Sequence, residues 1–315
     1  MTLRAGLLFS DRIEALVDGR VSVAGTPMTI HCVEAQALFR SVLREAAWDV
    51  AELSMASHIA AIGAGRRDYV GLPVFPSRAF RHPNLYVRTD RIAAPGDLAG
   101  RSIGLIDYQQ TAALWMRGLL ADDHGVDRAS VEWVTGGLHA PVSTDRAPMA
   151  PPPGIRIRRT SATLDALLRS GEIDAIISPR APASFADPAV PVARMWPDHG
   201  TAQRQWWERT GIFPIMHVVV VRRTLVADDP DLPARLTAAF DTALALAQQD
   251  ILTRDYPKIA LPGLPALIEQ AMADYGPTLW RNGIEPNRGA LDMMLRHARS
   301  DGLIPQALSV EALFA

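Results

Sequence analysis

Residues 49–62 read Asp49-Val50-Ala51-Glu52-Leu53-Ser54-Met55-Ala56-Ser57-His58-Ile59-Ala60-Ala61-Ile62 and contain two different patterns of apolar residues. The first five residues have the composition of a short strand, and residues 58–62 continue as an apolar helix. Ser54 and Ser57 stand where the strand ends, and each hydroxyl can cap the helix that follows. The stretch predicts a strand followed directly by a helix, which is the repeating unit of α/β proteins.

The same alternation continues along the chain in both directions. Strand-like runs occur at residues 69–75, 85–87, 102–106, 131–135, 155–159, 174–178 and 215–221. Helical spacing of apolar residues occurs at 34–48, 111–122, 164–170, 203–209, 232–251, 264–275 and 288–299. The run at 215–221 is strongly β-branched, as expected for a strand buried on both faces of a parallel or mixed sheet. The pattern therefore predicts the α/β class.

Length and composition narrow the class further. At roughly 150 residues per domain, 315 residues predict two domains, and a chain with 48% hydrophobic and 21% charged residues is ordinary globular material. Cys32 is the only cysteine, so an intrachain disulfide and a CxxC metal or redox pair are excluded. Lys258 is the only lysine and follows no glycine-rich loop, which excludes a Walker P-loop and disfavours a pyridoxal-phosphate enzyme.

Charge and hydropathy indicate which partners to expect. The formal net charge of -2, with the arginines scattered among acids, argues against a nucleic-acid-binding surface. The N-terminal apolar run is too short for a secretory signal, and no stretch of about 20 apolar residues predicts a membrane span. We therefore expect a cytoplasmic protein without a nucleic-acid or membrane partner, and a homo-oligomer only because homo-oligomers are common.

The densest group of chemically active side chains lies at residues 75–82, Phe75-Pro76-Ser77-Arg78-Ala79-Phe80-Arg81-His82. The planar fork of arginine matches a carboxylate, and histidine can move a proton near neutral pH. This segment could therefore bind and protonate an aromatic acid, using the side chains of Ser77, Arg78, Arg81 and His82. The alternative is a solvated turn whose arginines pair with surface acids.

Further candidates lie where predicted strands end and predicted helices begin. The run Asp107-Tyr108-Gln109-Gln110-Thr111 lies at such a point, and Ser54 and Ser57 are placed in the same way. Free backbone amides at such points favour an anion, although helix caps without a ligand explain both groups equally well. His217 lies in the apolar strand at 215–221 and is either a candidate proton donor or a core histidine with its hydrogen bonds satisfied.

Two familiar motifs and a metal site are not supported by their sequence context. The run Gly100-Arg101-Ser102-Ile103-Gly104 matches the GxSxG string of hydrolases, which requires a strand before the serine and a helix after it. Here a turn precedes the serine and a strand follows it. The run Gly63-Ala64-Gly65 begins like GxGxxG but follows a helical pattern, so it predicts a helix end. The eight histidines show no HxH or HExxH spacing, and no local metal site is predicted.

Five segments become distinctive when they are taken together: Leu72–His82, Tyr108–Ala112, Trp133–Gly137, Gly171–Ala175 with Pro179-Arg180, and Thr210–His217. In this combination the chain resembles the 4,5-dihydroxyphthalate decarboxylase family over nearly its whole length. The resemblance implies a type II periplasmic-binding-protein-like architecture, in which two α/β lobes enclose a ligand cleft. It implies a first lobe of residues 1–89 and 215–315 and a second lobe of residues 90–214, with crossings near 85–87 and 215–217.

The resemblance also implies a function. It points to a carboxy-lyase that needs no cofactor and acts on 4,5-dihydroxyphthalate or a related hydroxylated aromatic acid, by ring protonation and loss of CO2. The implied roles are carboxylate binding by Arg78 and Arg81, further hydrogen bonds from Ser54, Ser57 and Thr111, proton donation by His82 or His217, and orientation of the phenolic hydroxyls by Tyr108, Gln109 and Arg180. The alternative is a non-catalytic solute-binding or ligand-sensing protein for a small aromatic carboxylate.

Two positions depart from the family pattern. Leu8-Phe9-Ser10 stands where the family usually has a glycine, an aspartate and a tyrosine, and Gln110 stands where the family has a methionine. Both positions are expected to face the cleft. They bear on the identity of the substrate more than on the scaffold.

Overall fold

The structure, a computed structural model, describes residues 2–141, 151–253, 259–276 and 280–315. The strands are β1 (Leu3–Leu7), β2 (Met28–Cys32), β3 (Val50–Ser54), β4 (Tyr69–Leu72), β5 (Leu85–Arg88), β6 (Ser102–Leu105), β7 (Glu132–Thr135), β8 (Arg156–Arg159), β9 (Ala175–Ile177), β10 (Val192–Arg194) and β11 (His217–Arg222). The α-helices are α1 (Asp11–Val17), α2 (Ala35–Glu45), α3 (Met55–Gly63), α4 (Thr111–His124), α5 (Leu164–Ser170), α6 (His199–Thr210), α7 (Arg223–Asp228), α8 (Leu232–Thr253), α9 (Leu264–Tyr275) and α10 (Arg288–Ser300). Lys258 lies outside the described residues.

The first sheet contains five strands in the order β2-β1-β3-β11-β4. β1 runs parallel to β2 and β3, whereas β11 runs antiparallel to β3 and β4. Alternate valines of β11 project from opposite faces. Val219 and Val221 pack in the cluster with α1 and α8, and Val218 and Val220 pack in the cluster with α2 and α3. The expected strand buried on both faces is thereby confirmed.

The second sheet contains six strands in the order β10-β5-β9-β6-β7-β8. β6 is parallel to β7 and β9, and β7 is parallel to β8, as βαβ connections require. β5 and β10 form an antiparallel edge on this sheet. The described helices include none that is both long and apolar enough to cross a membrane.

Two segments that connect the sheets lie side by side, and we call them the connecting pair (residues 77–79 and 214–216). The backbone N–H of Met216 donates to the carbonyl of Ser77 at 2.8 Å, and Arg78 forms an antiparallel bridge with Ile215. Strand β5 belongs to the second sheet, so the first crossing precedes the position predicted near residues 85–87. The lobe boundaries themselves stay a prediction.

Helices α4 and α10 also pack directly against each other. Asp301, just after α10, accepts a hydrogen bond from Nε of Arg117 in α4 at 2.7 Å and also pairs with Arg128. The side chains of Arg117 and Asp301 are fully buried. Loss of one partner from such a pair leaves an uncompensated charge, which costs about 3–5 kcal/mol. This ion pair therefore fixes α4, including its N-terminal end, against the C-terminal end of α10.

Two local sequence predictions are confirmed. Helix α3 ends at Gly63, and Gly65 adopts a left-handed conformation with φ of 77°, which glycine allows without strain. Ser102 is the first residue of β6, so the GxSxG string marks the entrance to a strand and not a nucleophile elbow.

Candidate functional site

A cleft lies between the two sheets beside the connecting pair. Its volume is about 330 Å³, at the lower end of the range for pockets that bind small organic molecules. Residues 34–81 and 216–217 contribute Glu34, Ala35, Gln36, Phe39, Ser54, Ser77, Arg81, Met216 and His217 to its lining. Residues 106–180 contribute Ile106, Gln110, Thr111, Ala112, Pro179 and Arg180. Seven residues named from the sequence therefore meet here, namely Ser54, Ser77, Arg81, Gln110, Thr111, Arg180 and His217.

Strand register brings three polar side chains to one face of the first sheet. Ser54 of β3 is directly opposite His217 of β11, and Glu52 precedes Ser54 by two residues. Residues two apart in a strand project from the same face. Glu52, Ser54 and His217 therefore share a face at the carboxyl end of β3, the end of a strand at which α/β proteins usually bind ligands.

His217 is held by a buried carboxylate. Its Nδ1 lies 2.6 Å from Oε1 of Glu52, whose side chain is 3% exposed. The other carboxylate oxygen of Glu52 accepts the backbone N–H of Leu8 at 3.1 Å. Because an ionised carboxylate only accepts hydrogen bonds, Nδ1 of His217 carries a hydrogen and Nε2 is the nitrogen left for a ligand. The ring of Phe39 packs edge-on against the imidazole, with 5.0 Å between ring centroids.

Arg81 supplies a half-buried positive charge to the cleft. Its Nε donates to Sδ of Met216 at 3.0 Å, and its Nη1 donates to Oδ1 of Asn84 at 3.2 Å. Both acceptors are neutral. Burial lowers the pKa of the Arg81 guanidinium to about 10, which still leaves it a cation at neutral pH. A half-buried cation whose partners are neutral favours binding of an anion.

A hydrogen bond of 2.8 Å joins the hydroxyls of Ser54 and Thr111 across the cleft. Oγ1 of Thr111 also accepts the backbone N–H of Ala56, in the first turn of α3, at 3.1 Å. Thr111 is the first residue of α4, so the N-terminal ends of α3 and α4 meet at this hydrogen bond. The positive ends of two helix dipoles therefore border the cleft and add to its preference for an anion.

Comparison with proteins of known function identifies two relatives with one name. A 4,5-dihydroxyphthalate decarboxylase from Comamonas testosteroni is 35% identical over 307 residues, covering 96% of this chain and 93% of the relative. A 4,5-dihydroxyphthalate decarboxylase from Pseudomonas putida is 37% identical over 199 residues, covering 62% of this chain and 77% of the relative. The chain belongs to the 4,5-dihydroxyphthalate decarboxylase family. This confirms the resemblance found in the sequence, and the family name indicates a carboxy-lyase. No family model matches the sequence.

Solved structures of low sequence identity share the fold. The periplasmic aliphatic sulphonate binding protein SsuA from Escherichia coli matches with a TM-score of 0.52 and 15% identity, over 100% of this chain and 92% of that chain. The alkanesulfonate-binding protein SsuA from Xanthomonas axonopodis pv. citri matches with a TM-score of 0.54 and 13% identity, over 100% of this chain and 98% of that chain. These matches confirm the two-lobed periplasmic-binding-protein-like α/β fold for this member of the decarboxylase family.

Arg78 does not line the cleft of this family member, although the sequence places it near Arg81. It follows Ser77 in the extended connecting pair, so its side chain leaves from the opposite face. Its Nη2 donates to the carbonyl of Arg281 at 3.3 Å and to Oδ1 of Asn287. The expected clamp of Arg78 and Arg81 on one ligand is therefore not formed in the cleft, because the two guanidinium groups lie in different cavities.

His82 also lies outside the cleft. It lines a separate cavity and packs edge-on against Trp196 and Trp206, with centroid distances of 5.3 Å and 6.1 Å. Burial among these rings lowers the pKa of the His82 imidazole to about 4, so the ring is neutral at pH 7. A neutral ring that lines a different cavity from Arg81 is poorly placed to protonate a ligand bound to Arg81. The geometry favours His217 over His82 for that role.

Three more residues named from the sequence are buried away from the cleft. Ser57 lies within α3 and is 1% exposed, and Gln109 is 8% exposed. The hydroxyl of Tyr108 donates to the carbonyl of Asp301 at 3.3 Å, and the guanidinium of Arg117 stacks on its ring at 3.9 Å. Burial raises the pKa of the Tyr108 phenol to about 12. Tyr108 thus belongs to the packing of α4 against α10, which the sequence pattern does not reveal.

Two carboxylates at the site escaped the sequence analysis. Glu52 is 2% exposed within an apolar strand. A carboxylate in an apolar strand requires a partner, and this requirement was the one sign of Glu52 in the sequence. Glu34 caps α2, where its Oε2 accepts the backbone N–H groups of Gln36 at 2.8 Å and Ala37 at 3.2 Å. Helical periodicity alone assigned Glu34 to the helix, so its position at the edge of the cleft was missed.

The side chains of residue types that can ligate a metal are dispersed through the described structure. Within the described ranges, no group of three His, Cys, Asp or Glu residues could hold a metal ion. Of these residue types, the described lining of the cleft contains Glu34 and His217. Cys32 is exposed at the end of β2.

Proposed function

We propose that this protein decarboxylates 4,5-dihydroxyphthalate, or a closely related hydroxylated aromatic dicarboxylate, in the cleft between its two sheets. The products are 3,4-dihydroxybenzoate and CO2. The proposal rests on the presence in one cleft of a carboxylate-bonded histidine, His217, and a half-buried arginine with neutral partners, Arg81. Membership of the decarboxylase family supports the substrate class.

The two carboxylates of the substrate bind to arginines from different parts of the chain. Arg81 is fixed beside the connecting pair by its bond to Met216, and Arg180 is exposed at the edge of the cleft. A guanidinium presents paired N–H donors that match a carboxylate. A substrate with two adjacent carboxylates would therefore bridge Arg81 and Arg180, and this pair replaces the pair of Arg78 and Arg81 expected from the sequence.

His217 acts as the general acid. In its doubly protonated form the imidazole donates from Nδ1 to Glu52 and from Nε2 toward the ring carbon that bears the departing carboxylate. The proton adds to that carbon, and the electron pair of the C–CO2 bond then restores the aromatic ring as CO2 leaves. Water returns a proton to His217, so each turnover consumes one proton. A well-placed general acid contributes about 10²–10⁴ in rate.

The substrate ring supplies its own electron sink. A hydroxyl para to the departing carboxylate stabilises the positive charge that protonation creates in the ring, so the proposed reaction needs no electron-sink cofactor. Oε1 of Gln110 is buried without a hydrogen-bond partner among the described residues, and it is suited to accept a phenolic O–H. Glu34 offers a second acceptor at the cleft. Gln110 thereby favours a hydroxylated ring.

Turnover of the purified protein tests the proposal directly. With 4,5-dihydroxyphthalate we expect one CO2 and one 3,4-dihydroxybenzoate for each substrate consumed. In D2O the product should carry one deuterium, at the carbon that lost its carboxylate. Phthalate lacks the hydroxyls, so it should bind without turnover and inhibit competitively. Activity should survive dialysis against a chelator, whereas loss that added metal restores would contradict the cofactor-free chemistry.

One outcome would favour the alternative function. Tight binding without CO2 release, across a panel of hydroxylated aromatic acids, would overturn the decarboxylase proposal. It would favour a solute-binding or ligand-sensing protein that uses Arg81 and Arg180 for recognition and His217 only as a hydrogen-bond partner. The panel should include acids with and without a hydroxyl para to a carboxylate, because only the former can be decarboxylated by ring protonation.

A further inference from the structure

Neighbouring residues of the connecting pair line two different cavities. Ser77 and Met216 line the cleft, whereas Arg78 lines a second cavity of about 270 Å³. We call it the rear cavity, and its lining includes Arg78, Trp207, Phe213, Tyr275, Asn287 and Gly289. None of the residues that line the cleft also lines the rear cavity within the described chain, so the two are separate sites.

Arg78 brings a positive charge to the rear cavity. The residue is 7% exposed, and its acceptors are the carbonyls of Phe213 and Arg281 and Oδ1 of Asn287, which are all neutral. Its Nε has no hydrogen-bond partner among the described residues. Burial lowers the pKa of the Arg78 guanidinium to about 9, which leaves it a cation at neutral pH. The described lining contains no acidic side chain, so the cavity supplies no counter-ion.

The N-terminal end of α10 opens on the same cavity. Asn287 is the N-cap residue of this 13-residue helix, but its side chain makes no cap hydrogen bond. It accepts from Arg78 and donates to the carbonyls of Arg281 and Gly283 instead. The first turn of α10, including Gly289, therefore adds the positive end of a helix dipole to the charge of Arg78.

Aromatic rings form much of the remaining wall. Trp207, Phe213 and Tyr275 line the rear cavity, and its volume is close to the roughly 300 Å³ at which organic ligand pockets begin. Flat apolar walls beside a cation and a helix N-terminus match a planar ring that carries one negative group. We propose that the rear cavity is a second ligand site, which binds a small aromatic monocarboxylate with its carboxylate on Arg78 and the first turn of α10.

Benzoate is the probe, and a matched pair of variants at Gly289 is the central test. A Cβ at Gly289 meets nothing within 4 Å, so the position accepts a side chain. Gly289→Asp places a carboxylate beside the helix end and Arg78, where it competes with benzoate, whereas Gly289→Asn adds an uncharged side chain of the same shape. By isothermal titration calorimetry we expect at least about a tenfold weaker Kd in Gly289→Asp and less than about a threefold change in Gly289→Asn.

Benzoate can also enter the cleft, so the titrations are repeated in Arg81→Gln. We expect one binding event to disappear in this variant and a second event, sensitive to Gly289→Asp, to persist. Arg78→Gln should abolish that second event. Both Gly289 variants should decarboxylate 4,5-dihydroxyphthalate at the wild-type rate, so failure of this inference and failure of the proposed function can be told apart.

Three results would overturn the proposal. One is a single benzoate site that is lost entirely in Arg81→Gln. Another is equal benzoate affinity in Gly289→Asp and Gly289→Asn. The third is that sulfate, which lacks the ring, or benzyl alcohol, which lacks the charge, binds as tightly as benzoate. The proposal requires both the aromatic ring and the negative charge.

Discussion

The two faces of the segment around residues 77–82 use the same residue types for different purposes. On the cleft face, Arg81 and His217 both line the cleft, and Nδ1 of His217 is bonded to the carboxylate of Glu52. Away from the cleft, Arg78 is tied to carbonyl groups, and His82 is enclosed by tryptophan rings. Residue type and proximity in sequence therefore do not decide the chemical role of these side chains. The partner of each side chain and its access to the cleft decide that role.

The largest expected effect separates the two histidines. His217→Gln removes the proposed proton donor and should lower kcat by about 10²–10⁴. His82→Gln should leave kcat within about threefold of wild type, because its ring lies in another cavity. Steady-state kinetics with 4,5-dihydroxyphthalate measure both values. Equal losses in the two variants, or wild-type kcat in His217→Gln, would remove the distinction.

A pH effect on stability should mark His82 as a structural residue. Its pKa in the folded protein is about 4, below the ordinary value of 6.5, so the unfolded chain binds its proton more tightly. His82 therefore contributes full stability above pH 6.5 and loses that contribution as the pH falls toward 4, to a maximum of about 3 kcal/mol. Denaturant unfolding between pH 7 and pH 4 should show a shallower pH dependence for His82→Gln than for wild type. Parallel curves for the two proteins would contradict this environment for His82.

Glu52 should matter through His217 and not by touching the ligand. Glu52→Gln keeps the shape and can still accept the backbone N–H of Leu8, but it removes the charge that balances the imidazolium. We expect kcat to fall by about 10- to 100-fold with little change in KM, as when carboxylates that orient a catalytic histidine are replaced. The pH profile of kcat should shift as well. A change in KM alone would place Glu52 in substrate binding instead.

The smallest expected effect separates the two arginines. Arg81→Lys keeps the charge but loses the planar fork, so KM should rise by about tenfold while kcat changes little. Arg78→Lys is the matched control, and it should leave KM unchanged while lowering the melting temperature, because its bonds to Phe213 and Asn287 are lost. If Arg78→Lys raises KM as much as Arg81→Lys does, both arginines contact the substrate and the separation of the two faces fails.

Periodicity predicted most of the secondary structure for a physical reason. The predicted helix at 264–275 agrees with α9, and the predicted helix at 164–170 agrees with α5, because burial of one helix face leaves a repeating apolar pattern. The short edge strand β10 and the helix α7 left no such pattern and were missed. Strand β11 was visible because four consecutive valines fill both faces of the first sheet.

The candidate site was predicted only in part. The sequence named seven residues that line the cleft, because strand ends and helix starts gather at one edge of an α/β sheet. It also named Arg78, His82, Tyr108, Gln109 and Ser57, which the structure buries elsewhere. It missed Glu52, since the bond to His217 joins residues 165 positions apart along the chain. Local patterns contain no information on such pairs.

Hydrophobic period and local motifs were enough to predict the α/β class, the family and the kinds of side chain available for chemistry, because both are properties of short segments. Which arginine and which histidine share the cleft depends instead on how the chain folds. Alternate residues of an extended segment point to opposite sides, so Ser77 and Arg78 separate although they are neighbours. Strand pairing between β3 and β11 then brings Glu52 to His217. The direction of each side chain and the pairing of distant strands are set by packing, and packing is complete only in the folded chain.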